Sequence, residues 1–282
     1  MSVTEEIVHI IPLGYEYDRA VKIFDDKSGR KANRAYLLSS LKLDVPPDIR
    51  DRHEKYLLKV HKKLEELKIE VITIPTNLID LLDVMQKISY LVKKEISEGN
   101  LVYINMSAAG RMTSVGATLA GMVQGAKVYY IESSGYSDTD EEWEEHGLSI
   151  VDGSPVIRYL KNFQINLPSI EQQFVLVKLF QEGTLSAYEI IKYLISLKMT
   201  NFDVKLENIT RKERTRITMM LNRSVMDKLL SSGYVLKEKS KKETIYSITE
   251  SGKYIACISG LLDENLSYNF KVSGKKLKSC IY

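Results

Sequence analysis

Two short stretches hold the residue types best suited to chemistry. Pro12-Leu13-Gly14-Tyr15-Glu16-Tyr17-Asp18-Arg19 follows one apolar run. Asn105-Met106-Ser107-Ala108-Ala109-Gly110-Arg111 follows another and leads into the small-residue segment Met112–Met122. A strand that feeds a glycine turn into a helix leaves backbone N–H groups at the helix start, and the helix dipole behind them favours an anion. Arg111 adds a permanent charge whose fork geometry suits phosphate. The expected chemistry is capture of a phosphate-bearing ligand. The candidate contacts are Leu13, Gly14, Tyr15, Glu16, Tyr17 and Arg19 in the first turn. In the second they are Asn105, Met106, Ser107, Ala108, Ala109, Gly110 and Arg111. The competing explanation is plain packing: such turns often want glycine, and the small residues of 107–121 would let a helix approach a sheet closely.

The elements needed to position these turns are legible from periodicity. Strands are expected at Ile7–Ile11, Arg34–Leu38, Val71–Pro75, Leu101–Asn105 and Val128–Ile131. Helices are expected at Tyr17–Phe24, Asp48–Leu67, Leu78–Val92 and Met112–Met122, the second and third with apolar residues at helical spacing. Strands alternating with helices imply a doubly wound parallel sheet. Right-handed crossovers and one reversal give the order 3-2-1-4-5, with the ligand site outside the strand ends where the direction switches. Both turns fall at that switch. The first turn lacks G-x-G-x-x-G, which disfavours a nicotinamide dinucleotide fold, and no G-x-x-x-x-G-K-[ST] occurs. The acidic stretch Ser133–Pro155 reads as a loop or short helix closing the sheet, and Val156–Leu167 as a strand leading out to Pro168.

Residues 168–282 have a different pattern. Amphipathic helices are expected at Glu171–Glu182 and Ser186–Leu197, and Thr210 with Glu213 forms a capping box opening a third. On that third helix Ile217, Met220, Leu221, Val225 and Leu229 form the buried stripe. Arg211, Arg214, Thr215, Thr218 and Asn222 lie opposite, with Arg216 and Arg223 on the flanks. Strands at Tyr234–Lys237 and Thr244–Ile248 enclose a basic turn containing Lys239, Lys241 and Lys242, and a helix Glu250–Leu262 follows. Three helices and a basic-tipped hairpin make a winged helix-turn-helix. A helix bearing Arg, Thr and Asn suits the DNA major groove, and a lysine-rich wing suits phosphates. A winged helix used only for protein contacts is the alternative.

Charge divides along the same line. Residues 1–166 carry 21 Lys and Arg against 25 Asp and Glu, and residues 167–282 carry 19 against 12. The excess in the second part fits a polyanion partner, and it fits a lysine-rich solvated surface equally well. No apolar run reaches the roughly 18 residues of a membrane span. The polar start Met1–Glu6, the two unpaired cysteines (Cys257, Cys280) and four scattered histidines point to a cytoplasmic protein without a metal motif.

With these residues in place, the chain resembles the archaeal CARF-domain transcription regulators associated with CRISPR systems. His9-Ile-Ile-Pro-Leu-Gly-Tyr-Glu-Tyr-Asp-Arg19 and Arg34-Ala-Tyr-Leu-Leu38 are similar to one CARF/winged-helix subgroup. The resemblance implies an α/β fold: a Rossmann-like (CARF) ligand-sensing and dimerisation domain over 1–167 and a winged helix-turn-helix DNA-binding domain over 168–282. It also implies a homodimer that takes a cyclic oligoadenylate, most often the tetramer, across its two-fold axis, and double-stranded DNA as partner. In that family the second turn reads Ser-x-Gly-Thr-Lys or a close variant. Here Ser107 and Arg111 keep the ends of that pattern, while Gly110 replaces the hydroxyl residue. Tyr15 and Tyr17 are expected to stack on adenines. Two other functions stay open: slow cleavage of the cyclic ligand, with Ser107, Arg111 and Tyr15 as contributors, and sensing of another nucleotide or metabolite.

Overall fold

The computed structural model describes residues 5–25, 31–40, 47–163, 165–199, 202, 210–239 and 243–262, with the backbone alone for 47–50, 211 and 214. The described chain forms two compact units, one running to Ile165 and the other covering Asn166–Leu262.

The first unit places helices on two faces of a mostly parallel sheet. Its strands are β1 (Ile7–Leu13), β2 (Arg34–Ser39), β3 (Glu70–Pro75), β4 (Leu101–Asn105) and β5 (Lys127–Ile131). Between them lie α1 (Tyr17–Val21), α2 (Pro47–Glu66), α3 (Leu81–Ser97) and α4 (Arg111–Gln124). A small insertion follows: β6 (Gly135–Tyr136), α5 (Asp140–His146) and β7 (Ser149–Ile150), then β8 (Ile157–Tyr159). The sheet order is β3-β2-β1-β4-β5-β8. Its parallel part is the expected 3-2-1-4-5 order, and β8 adds antiparallel to β5 at the edge. That last strand is much shorter than the sequence pattern implied.

Alternation along the central strands feeds two cores. Val8, Ile10, Tyr36 and Leu38 join α3 and α4 on one face. Ile11, Leu13, Ala35 and Leu37 join α1 and α2 on the other. Strands buried on both faces read as continuous apolar runs, and β1 is one of them. Helix α4 sits close to its neighbours because two glycines allow it. A Cβ on Gly121 would stand 2.6 Å from Val128 Cγ2, and one on Gly116 would stand 2.8 Å from Leu81 Cδ1. Packing therefore accounts for Gly116 and Gly121, but Gly110 faces open space.

The second unit comprises α6 (Ile170–Glu182), β9 (Thr184–Ser186), α7 (Ala187–Ser196), α8 (Arg211–Leu221), a π-helical turn (Asn222–Met226), α9 (Asp227–Ser231), β10 (Val235–Lys239), β11 (Thr244–Ile248) and α10 (Glu250–Ile258). Its sheet has the order β10-β11-β9. The three-residue β9 is too short to alternate visibly, and it exists because β11 supplies its partners. The expected single third helix is instead α8, the π turn and α9. The wider turn shifts the helical phase, so Val225 and Met226 are both buried beside Ile217, Leu221 and Leu229.

Among the described residues no group of His, Cys, Asp and Glu is arranged for a metal ion. No described helix is long and apolar enough to cross a membrane. Cys257 is buried, and Cys280 lies outside the described residues.

Candidate functional site

The two turns singled out in the sequence touch. Gly14 N–H donates to the Ala108 carbonyl at 2.8 Å, joining the β1–α1 turn to the β4–α4 turn at the carboxyl edge of the sheet. A Cβ on Gly14 would lie 3.4 Å from Ala109 Cα, so the two backbones run in near contact. Gly110 is the N-cap of α4 and offers no side chain to its first turn. By contrast α3, α5, α6, α7, α8 and α10 begin on capping side chains: Asp80, Thr139, Ser169, Ser186, Thr210 and Thr249. Arg111, the first residue of α4, is exposed. An uncapped helix start with an exposed guanidinium and an open approach is able to receive an anion.

Several candidate residues build the turns from inside. Asn105 is fully buried. Its amide donates to the Arg19 carbonyl at 2.8 Å, and its Oδ1 accepts from Ser107 N at 2.9 Å and Ser107 Oγ at 2.7 Å. Ser107 Oγ in turn accepts from Ile131 N at 3.1 Å, which ties the turn to β5. The Ser107 hydroxyl is thus occupied within the fold. Leu13 and Ala108 are core residues. Met106 is half-buried, its side chain packed against the α3/α4 core.

Arg19 and Glu16 are also buried. Arg19 Nη1 donates to Glu16 Oε1 at 3.2 Å, while Nη2 donates to Tyr130 Oη at 2.9 Å and Ser133 Oγ at 3.1 Å. Burial raises the Glu16 carboxyl above its ordinary value, opposed by the Arg19 charge and by Ser149. The insertion holds this turn from behind. Leu148 N–H donates to the Tyr15 carbonyl at 2.7 Å. His146 Nδ1 and Val151 N each lie 3.0 Å from Asp18 Oδ2. Gly147 has φ +82°, and a Cβ there would meet the Tyr15 carbonyl at 2.3 Å, so no other residue fits.

The tyrosines are half-buried and face α2. Tyr15 makes edge contacts with His53 and Tyr56, each at 5.8 Å, and with Trp143 at 6.4 Å between ring centroids. The Lys59 ammonium lies 3.8 Å from the Tyr17 ring centroid. His53, one of the four scattered histidines, reads from the sequence as solvated but is half-buried here, and Trp143 sits in no motif and is marked only by being the sole tryptophan.

Burial holds His53 below its ordinary value, opposed by Glu54, and Ser39 Oγ lies 2.8 Å from its Nε2. The folded state then binds fewer protons here than the unfolded chain. Its stabilising contribution is present above the unfolded value of about 6.5 and is lost as pH falls through the lower folded value. Denaturant unfolding from about pH 7.5 down to 5 should show this loss, and a His53→Asn variant should lose less stability over the same range.

In the second unit, Lys212, Thr215, Arg216, Met219 and Arg223 are exposed, and their spacing puts them along one side of α8 and the π turn. Thr218 and Asn222 are half-buried, and Tyr246 Oη lies 3.5 Å from Asn222 Oδ1. The outward face is therefore rotated by about one residue from the one read in the sequence. Lys239 is exposed at the end of β10; Lys241 and Lys242, and the side chains of Arg211 and Arg214, lie outside the described residues.

Residues 171–260 match the DUF6293 C-terminal winged helix domain family. The second unit is a winged helix domain. Its wing is β10–β11, and its third helix presents the Arg216–Arg223 face. Residues 7–136 match a family described as HFX_2341_N:-like, N-terminal. No curated protein matches the chain significantly.

Solved structures align over most of the chain at low identity. Protein VC1899 from Vibrio cholerae is 13% identical over 90% of this chain, with a TM-score of 0.35. Can2 from Sulfobacillus thermosulfidooxidans, solved with cyclic tetra-adenylate, is 10% identical over 88%, with a TM-score of 0.36. Csm6 from Enterococcus italicus, bound to cyclic hexa-2'-fluoro-hexa-dAMP, is 11% identical over 83%, with a TM-score of 0.39. The chain spans 66%, 61% and 57% of those three chains.

Proposed function

We propose that this protein is a DNA-binding transcription regulator controlled by a cyclic oligoadenylate, the tetramer first, bound across a homodimer of its Rossmann-like domain. The observation that carries the reading is the Gly14–Ala108 hydrogen bond, which brings both turns to the uncapped start of α4 beside exposed Arg111. The ligand class follows from the CARF resemblance of those turns. Met112, Val115 and Leu119 are exposed on α4 at helical spacing, and Ile79 is 70% exposed. Thr113 Oγ1 donates to the Leu78 carbonyl, which places the segment carrying Ile79 beside the start of α4. Such an apolar patch next to the anion site suits burial against a second copy. Two copies of Arg111 and of the helix start would then meet a ligand of matching symmetry. On the winged helix, Arg216, Arg223 and Lys239 would meet DNA, with Arg211, Arg214, Thr215, Lys241 and Lys242 as further contacts.

Two winged helices in a dimer read half-sites at fixed spacing, so a small change at the ligand cleft alters DNA affinity. Binding to DNA selected by the protein from a random library should change by about 5- to 150-fold when cyclic tetra-adenylate is titrated at constant salt. An unchanged affinity rules out ligand control.

A further inference from the structure

A cavity of about 610 Å³ opens between α2 and α5, behind the Tyr15 turn. We propose that it is a second ligand site, for a free purine nucleoside monophosphate. This goes beyond the cyclic-ligand reading and does not depend on it.

The walls supply each part of such a ligand with a partner. Arg52 lies over the Trp143 ring, its guanidinium carbon 6.0 Å from the centroid. Arg52 is exposed, so a planar base stacks on the indole as the guanidinium swings outward to cover its other face. Asp51 and Asp140 line the same cavity and can accept from an exocyclic amine or ribose hydroxyls. Lys55 and Lys59 stand on the same side of α2, one turn apart, and provide charge for a phosphate.

The present partners of these lysines leave room for an anion. Lys55 pairs with Glu144, with both side chains well exposed, and such pairs contribute little and exchange readily. Lys59 donates to the Glu144 and Glu145 carbonyls at the end of α5 and lies over the Tyr17 ring. Burial pulls its ammonium below the ordinary lysine value, and an arriving phosphate would offset that loss. Asp51, Asp140 and Glu144 balance the three cations of the wall, so these residues together carry no net charge. Selectivity then rests on the aromatic slot as much as on charge.

The cavity also adjoins the candidate cleft through one residue layer. Tyr56 donates its hydroxyl to the Trp143 carbonyl, and Tyr15 packs on both rings. A base lodged on Trp143 presses on the turn that holds Gly14.

Trp143 is the chain's only tryptophan and lines the cavity, so its fluorescence reports on occupancy there. AMP titrated into the 282-residue chain should quench it saturably and release heat in parallel calorimetry. Adenosine and inorganic phosphate, tested separately, should each bind far more weakly. Arg52→Ala and Lys55→Ala should each weaken AMP binding by about tenfold or more. Arg111→Ala should leave AMP binding unchanged while weakening cyclic tetra-adenylate. No saturable signal with millimolar AMP in both methods would overturn the site. So would AMP binding that survives Arg52→Ala and Lys55→Ala intact, or that Arg111→Ala removes. Failure of cyclic tetra-adenylate alone leaves this site standing.

Discussion

Arg34→Ala is expected to destabilise the Rossmann-like domain by about 3–5 kcal/mol, because it strands a buried carboxylate. Glu95 is fully buried on α3. Arg34 Nη1 reaches both of its oxygens at 3.0 Å, Tyr36 donates to one and Asn100 donates to the other at 2.7 Å. Arg34 also binds Glu70 at 2.8 Å and Glu6 at 2.9 Å. The Glu70 hydrogen bond, then the Glu95 charge, push the guanidinium above its ordinary value despite desolvation. Burial, then the bond to Glu95, push the Tyr36 phenol up as well.

One cation thus serves three carboxylates from β3, α3 and the residue before β1. Removing it leaves Glu95 charged in a low-dielectric site, whereas exchanging Arg34 and Glu95 together for methionine should recover much of the loss. Urea unfolding followed by circular dichroism measures both. A single variant that shifts stability by less than about 1 kcal/mol would place this cluster among ordinary surface ion pairs.

Arg111→Ala is expected to have the largest effect on the proposed ligand binding. Arg111 is exposed, so its loss should leave stability nearly unchanged. A charge-assisted hydrogen bond contributes about 1.5–3 kcal/mol, and a dimer contributes two copies to one ligand. The loss would be about 3–6 kcal/mol, or roughly a hundred- to ten-thousandfold in the dissociation constant for cyclic tetra-adenylate. Arg111→Lys should fall between the two proteins, since it keeps the charge and loses the fork. Calorimetry at fixed ionic strength gives the comparison. Full-strength binding by the alanine variant would remove Arg111 from the site and favour another ligand at this cleft.

The roles of the candidate residues divide on a simple criterion. Residue type cannot tell whether a polar group points at a ligand or at its own fold. Asn105, Ser107, Glu16 and Arg19 all have the chemistry of a binding turn, yet the structure uses them as struts between β1, β4, β5 and the insertion. Arg34 was read as part of a family motif, and it stands at the opposite end of the strands from the candidate cleft. On the third helix the buried stripe of Ile217, Leu221, Val225 and Leu229 matches the periodicity, while the outward face lies about one residue on from the expected one. Asn222 sits beside Tyr246, and Met219 joins Arg216 and Arg223 on the outside.

From the amino-acid order alone came the alternation of strands and helices, the 3-2-1-4-5 order, the two-part organisation and the meeting of the Gly14 and Gly110 turns. These follow from local periodicity and the handedness of crossovers, which act over neighbouring residues. Tertiary structure decided which side chains of those turns remain available, the Arg34–Glu95 cluster, the short strands β8 and β9, and the cavity beside Trp143. Each depends on groups far apart in the chain, such as Tyr15 and Trp143, whose meeting is set by how helices pack on the sheet.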